Sequence, residues 1–74
     1  MLNAYLTDLG KALDRKAWEQ LCNSDWPIAE VIRNEVQKGA TPEQIKWFVM
    51  RNYGKWDWAL QCQAAARYLE AAKA

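Results

Sequence analysis

Helix start and stop signals are the feature that most constrains the fold of this 74-residue chain. The run Thr41-Pro42-Glu43-Gln44 combines a capping threonine, a proline at the first helical position and a glutamine three residues after the cap, which together form a capping box. Gly39 and Gly54 supply the left-handed residue with which helices commonly end. Ser24-Asp25-Trp26-Pro27 predicts a further helix start, because proline is tolerated in a first turn. Breaks are therefore expected near residues 23–25, 39–41 and 53–55.

The spacing of apolar residues between these signals fits helices, and no alternating run of β-branched residues predicts a strand. The chain is predicted to be all-α: one compact four-helix domain over residues 1–74, with helices at about 3–22, 26–38, 42–52 and 56–72. The residues expected to face inward are Ile28, Ile32, Glu35 and Val36 on the second helix, Ile45, Phe48, Val49 and Asn52 on the third, and Trp58, Cys62, Ala65, Leu69 and Ala72 on the fourth.

The first helix carries two apolar faces. One stripe at intervals of three and four residues consists of Leu2, Leu6, Leu9 and Leu13. Trp18 and Cys22 lie nearly opposite that stripe on an ideal helical wheel. The helix could bend between residues 10 and 14, break there with Asp14 as a new cap, or continue with both faces covered. We favour a continuous helix over about residues 3–22.

The side-chain inventory argues against catalysis. The chain has no histidine, the commonest general base and metal ligand, and its carboxylates are scattered singly. Cys22 and Cys62 are forty residues apart and form no CxxC pair, so they are expected to be reduced, unpaired and mostly buried. We therefore expect no enzyme activity, no catalytic residues, no cofactor and no metal site.

Charge and hydropathy limit the classes of partner and the cellular compartment that the sequence predicts. The net charge is +1, with the basic residues concentrated in residues 33–55, where five cations face two carboxylates. A net charge of +1 is too close to zero to predict polyanion binding by itself. The start of the sequence lacks the pattern of a secretory signal, and no stretch approaches the roughly 20 apolar residues of a membrane span. A cytoplasmic protein that does not bind membranes is expected.

Five tryptophans predict a surface role for some of these rings, because the core of so small a domain needs one or two. With Ile45, Phe48 and Val49 directed inward, Trp47 points outward, and aromatic, methionine and arginine side chains are enriched in protein interfaces. An alternative is that another helix covers Trp47 and makes it part of the core. The predicted partner-binding residues are Trp47, Arg51, Lys46, Met50, Tyr53, Lys55 and Trp56.

These features predict a small non-enzymatic protein-binding module. Short histidine-free chains of this kind are typical of phage or plasmid accessory proteins, including inhibitors that occupy the surface of a host defence complex. The alternative is a small DNA- or RNA-binding regulator, because the segment from Glu43 to Leu69 has the outline of a helix-turn-helix and mixes cations with aromatic rings. Another protein is the expected partner, nucleic acid is the alternative, and a homodimer is compatible with the sequence.

Overall fold

Four α-helices make up nearly all of the computed structural model, which describes the backbone of residues 2–73 and the side chains of residues 8–73. They are α1 (Leu2–Ser24), α2 (Trp26–Gln37), α3 (Pro42–Tyr53) and α4 (Trp56–Lys73). No strand occurs in residues 2–73, which confirms the predicted all-α fold. None of the described helices has both the length and the apolar character needed to cross a membrane.

The predicted capping residues define the helix ends. The Asp25 carboxylate caps α2 by accepting from the backbone N–H of Ile28 at 3.3 Å. The capping box at α3 is complete, since Thr41 Oγ1 accepts from the N–H of Gln44 at 3.1 Å and Gln44 Oε1 accepts from the N–H of Thr41 at 2.9 Å. Gly54, with φ of +67°, ends α3 and donates its N–H to the carbonyl of Met50. Short-range hydrogen bonds thus satisfy backbone groups that each helix end leaves free.

The core forms around α4, which contacts each of the other three helices. The fully buried part of its inward face is made of small side chains, and the larger fully buried residues come from the other helices. The fully buried residues of α4 are Ala59, Cys62, Ala65 and Ala66, and those with the largest side chains elsewhere are Leu21, Ile32, Ile45 and Val49. Helix α3 lies antiparallel to α4, because Glu43 contacts Gln63 while Trp47, one turn later on α3, contacts Trp56, earlier on α4. Helix α1 is joined to α4 by the pair Asp14–Arg67.

Helix α1 is continuous, as favoured from the sequence, but the two described leucines of its stripe do not face the core. Leu21 is fully buried, and Trp18 and Cys22 pack against the buried cluster. Leu9 and Leu13 remain exposed. The reason is that α2 and α4 contact α1 on the side that carries Trp18 and Leu21. The side chains of Leu2 and Leu6, which the prediction placed in the same stripe, lie outside the described residues.

The orientation of α3 differs from the prediction by a fraction of a turn. Ile45 and Val49 are buried as predicted, but Phe48 and Asn52 are exposed. Lys46 and Met50 are half-buried instead of Phe48 and Asn52, because α4 packs against the side of α3 that carries Lys46 and Met50. On α4, Trp58 and Leu69 pack against the core as predicted, whereas Ala72 is exposed.

Both cysteines are free thiols. Cys62 is fully buried among the core residues, and this burial raises the pKa of its thiol to about 11. Cys22 is partly buried and packs against the buried cluster. Desolvation also raises the pKa of Cys22, partly opposed by the positive charge of Arg33.

The Thr41 cap gives a direct test of the start of α3. Replacing Thr41 with Ala removes the acceptor for the Gln44 N–H and should lower the free energy of unfolding by about 1 kcal/mol. Urea denaturation followed by circular dichroism measures the change. The matched control is Ser24→Ala, because the Ser24 hydroxyl donates to the Gln20 carbonyl and caps no helix start. An equal loss in both variants would contradict the capping role of Thr41.

The two glycines Gly10 and Gly54 should respond in opposite directions to alanine. A Cβ atom added at Gly10, within α1, would meet nothing within 4 Å, so Gly10→Ala should stabilise the fold by about 0.5–1 kcal/mol through helix propensity. Gly54 has a left-handed backbone conformation, and Gly54→Ala should lower the free energy of unfolding by on the order of 1 kcal/mol. Chemical denaturation of both variants checks the signs. Destabilisation by Gly10→Ala would mean that another group lies against this position in solution.

Candidate protein-binding surface

The most prominent exposed feature is a pair of tryptophans at the junction of α3 and α4. Trp47 and Trp56 have ring centroids 6.1 Å apart and planes tilted by 53°. The chain reverses direction at Gly54, which brings the first residue of α4 beside the middle of α3. Trp47 is 50% exposed and Trp56 is 46% exposed. Each ring therefore contacts the other and still presents a large apolar area to solvent.

Lys46 lies against both rings. Its Nζ atom is 4.8 Å from the ring centroid of Trp47 and 5.5 Å from that of Trp56, within the range of cation–π attraction. Only 13% of the Lys46 side chain is exposed. Lys46, one of the predicted partner-binding residues, is therefore mostly covered by the protein. Its aliphatic stem is covered by protein, and its charge holds the two rings together.

Glu43 ties this cluster to α4. Its Oε1 atom accepts from Lys46 Nζ at 2.9 Å and from Trp47 Nε1 at 3.0 Å. Its Oε2 atom accepts from Gln63 Nε2 at 3.1 Å. These hydrogen bonds, first from Lys46 and then from Trp47, lower the pKa of the Glu43 carboxyl. We call Glu43, Lys46, Trp47, Trp56 and Gln63 the indole cluster.

The predicted binding residues divide between two places. The structure brings Trp47, Lys46 and Trp56 together in the indole cluster, with the exposed Arg51 one turn beyond Trp47. Lys55 is exposed next to Trp56 in sequence. Two of the predicted residues lie elsewhere, and these are Met50, which packs against the core, and Tyr53, whose ring contacts Trp58 edge-on at 4.7 Å.

Sequence reasoning missed Glu43, Gln63 and Phe48. Phe48 was assigned to the core, yet it is exposed and lies with Trp47 and Arg51 along a shallow groove of about 370 Å³. Glu43 precedes Lys46 by three residues and Trp47 by four, which are the spacings at which helical side chains meet. That signal was present in the sequence. Gln63 is twenty residues from Glu43, and only the packing of α4 on α3 brings the two together.

A second cluster joins α1 and α2. The guanidinium carbon of Arg33 lies 5.8 Å from the Trp18 ring centroid and 5.4 Å from that of Trp26. Trp18 packs against the core, whereas Trp26 is 49% exposed. Trp26, the first residue of α2, thus has about half of its surface open to solvent, with the Arg33 charge near its ring.

Within residues 8–73, no three side chains of the metal-binding types Cys, Asp and Glu gather in one place. Comparison of the chain with protein-family models, with curated protein sequences and with solved structures finds no significant match.

The indole cluster should respond to acid through Glu43. Because the pKa of Glu43 is lowered in the folded chain, its contribution to the cluster is present above the ordinary value of 4.5 and is lost as the pH falls through the lowered value. The indole Nε1–H resonance of Trp47 in a proton–nitrogen NMR spectrum should shift with a midpoint below 4.5.

The control for that titration is Glu43→Gln, which keeps an acceptor oxygen but has no proton to gain. In this variant the acid shift of the Trp47 resonance should disappear. A shift that persists unchanged in Glu43→Gln would show that another group controls the environment of the Trp47 indole.

Proposed function

We propose that this chain is a small non-enzymatic protein-binding module that acts through the indole cluster and the adjoining residues Phe48, Arg51 and Lys55. The observation that carries the proposal is the pair of half-exposed tryptophan rings fixed in one arrangement. Tryptophan and arginine are the residue types that most often dominate the free energy of protein–protein binding. Folding alone does not require Trp47 and Trp56 to remain half in solvent.

The hydrogen bonds around Glu43 support this function because they order the surface before a partner arrives. A free tryptophan side chain loses rotamer freedom on binding, which reduces affinity. Here the Trp47 indole already donates to Glu43, and Lys46 already lies against both rings. Most of that loss of rotamer freedom therefore takes place during folding and not on binding.

The charges at the edge of the cluster indicate the chemistry of the partner. Arg51 and Lys55 are exposed and form no salt bridge with any described side chain. A partner surface with an apolar centre and carboxylates at its rim complements this arrangement. The more specific role that we propose is a cytoplasmic inhibitor of phage or plasmid type, which occupies the surface of a host defence complex. Chain size and class support that role.

A nucleic-acid-binding regulator is the competing function, since Arg51 and Lys55 beside indole rings suit phosphates and bases. The packing of α3 and α4 argues against the helix-turn-helix form of that function. In a helix-turn-helix the two helices cross at roughly 90–120°. Here Glu43 in the first turn of α3 reaches Gln63 in the middle of α4, so the two helices lie side by side as a hairpin.

Alanine substitution of Trp47 tests the proposal against a matched tryptophan. We expect Trp47→Ala to weaken partner binding by about 2 kcal/mol, roughly 30-fold, with a stability loss of only about 1 kcal/mol. Trp26→Ala is the control, because Trp26 is equally exposed but belongs to α2. The measurement is capture of partners from nuclease-treated lysate by the immobilised chain, followed by titration of each captured protein.

Three results would contradict the proposal. Capture by Trp47→Ala could equal that of the unaltered chain, or Trp26→Ala could reduce it as strongly. Binding could also disappear on nuclease treatment and fall steeply with salt, which is the behaviour of a nucleic-acid-binding protein.

A further inference from the structure

A small cleft lies where the start of α2, the end of α3 and the start of α4 meet, and its volume is about 180 Å³. Two aromatic rings line it together. They belong to Tyr53, the last residue of α3, and to Trp58 in the first turn of α4, and their planes are tilted by 68° to each other. We call this site the aromatic cleft, and its lining residues are Asp25, Pro27, Ile28, Val31, Tyr53 and Trp58.

Asp25 gives the aromatic cleft a carboxylate without a partner cation. Its Oδ1 atom accepts from the backbone N–H of Ile28 at 3.3 Å. In the described part of the chain Asp25 forms no salt bridge, and no basic residue is among those that line the cleft. Because Asp25 is half-buried, salt screens its charge less than it screens a charge on the open surface.

The helix ends around the aromatic cleft do not cancel this charge. The starts of α2 and α4 each carry about half a positive charge, and the end of α3 carries about half a negative charge. With the full negative charge of the Asp25 carboxylate, the total is negative by about half a charge. Asp57 in the first turn of α4 adds a further negative charge nearby. The cleft therefore attracts a cation.

The side chains that line the cleft favour one kind of cation. A lysine ammonium group has three N–H donors and a guanidinium group has five, but the lining side chains offer only the Asp25 carboxylate and the Tyr53 hydroxyl as acceptors. Donors left without acceptors in a partly buried site cost free energy. A trimethylammonium group has no N–H donor, and its positively charged methyl surface is attracted to aromatic rings.

We propose that the aromatic cleft binds the trimethylammonium group of a small molecule. The methyl groups lie against the rings of Tyr53 and Trp58 and against the apolar Pro27 and Val31, and the Asp25 carboxylate balances the positive charge. Tyr53 is 48% exposed, so its ring is accessible to such a ligand. With one carboxylate and two rings, we expect a dissociation constant on the order of 1 mM.

The aromatic cleft is separate from the indole cluster. Trp56 and Trp58 are two residues apart on α4, so their side chains leave the helix in directions about 200° apart. The inference therefore does not depend on the proposed function. Loss of partner binding is expected from Trp47→Ala, and loss of the trimethylammonium site is expected from substitutions in the cleft.

Titration of the full chain with choline tests the site. The matched control ligand is the uncharged carbon analogue of choline, in which a tert-butyl group replaces the trimethylammonium group. Proton–nitrogen NMR at constant ionic strength follows the indole N–H resonance of Trp58. Choline should shift this resonance along a saturating curve, and the analogue should bind about tenfold more weakly because it lacks the charge.

Substitution of Asp25 separates the charge from the fold. Asp25→Asn removes the charge and keeps the cap of α2, because asparagine caps helices as well as aspartate does, and it should weaken choline binding by about fivefold. The control is Glu70→Gln, which removes an exposed carboxylate about 18 Å further along α4 than Trp58 and should leave choline binding unchanged.

Substitution of Tyr53 tests the aromatic ring. Tyr53→Leu should weaken choline binding, and Tyr53→Phe, which keeps the ring, should retain it. Circular dichroism verifies that each variant is folded. The proposal is overturned if choline produces no saturating shift, if the uncharged analogue binds as tightly, if Asp25→Asn and Glu70→Gln bind choline equally, or if Tyr53→Leu binds it as well as Tyr53→Phe does.

Discussion

The small-residue face of α4 is the constraint on which the rest of the structure depends. Because Ala59, Ala65 and Ala66 are small and fully buried, the other three helices can approach α4 closely and fill the core with larger side chains. Within the described residues α1 and α3 do not contact each other. Their relative positions are therefore set by α4 and α2, each of which contacts both. The contacts of α4 include Arg67 with α1 and Gln63 with α3.

This architecture explains which parts of the fold could be predicted. Helix boundaries depend on residues close in sequence, such as Thr41 with Gln44 and Gly54 with Met50, so the sequence contained the information needed to place them. Helix faces depend on which neighbour covers them. Spacing placed Phe48 in the core with Ile45, but α4 packs on the side of Lys46 and Met50 and leaves Phe48 exposed.

The candidate surface was partly predictable for the same reason. The outward direction of Trp47 follows from the inward direction of Ile45 and Val49 on the same helix. The contact with Trp56 requires the chain reversal at Gly54, and the contact between Glu43 and Gln63 requires the packing of two helices. The number of tryptophans is now accounted for. Trp18 and Trp58 pack against the core, and the other three remain about half exposed.

The exposure of Trp26, Trp47 and Trp56 has a consequence for optical spectroscopy of this chain. Three of the five indoles are about half exposed in the folded state, so their emission should change less on unfolding than the emission of Trp18 and Trp58, which pack against the core. The pair formed by Trp47 and Trp56 is different, because rings 6.1 Å apart and tilted by 53° couple their electronic transitions. The resulting contribution to the circular dichroism depends on the geometry of that pair, and the loss of this contribution in Trp47→Ala would assign it to the α3–α4 junction.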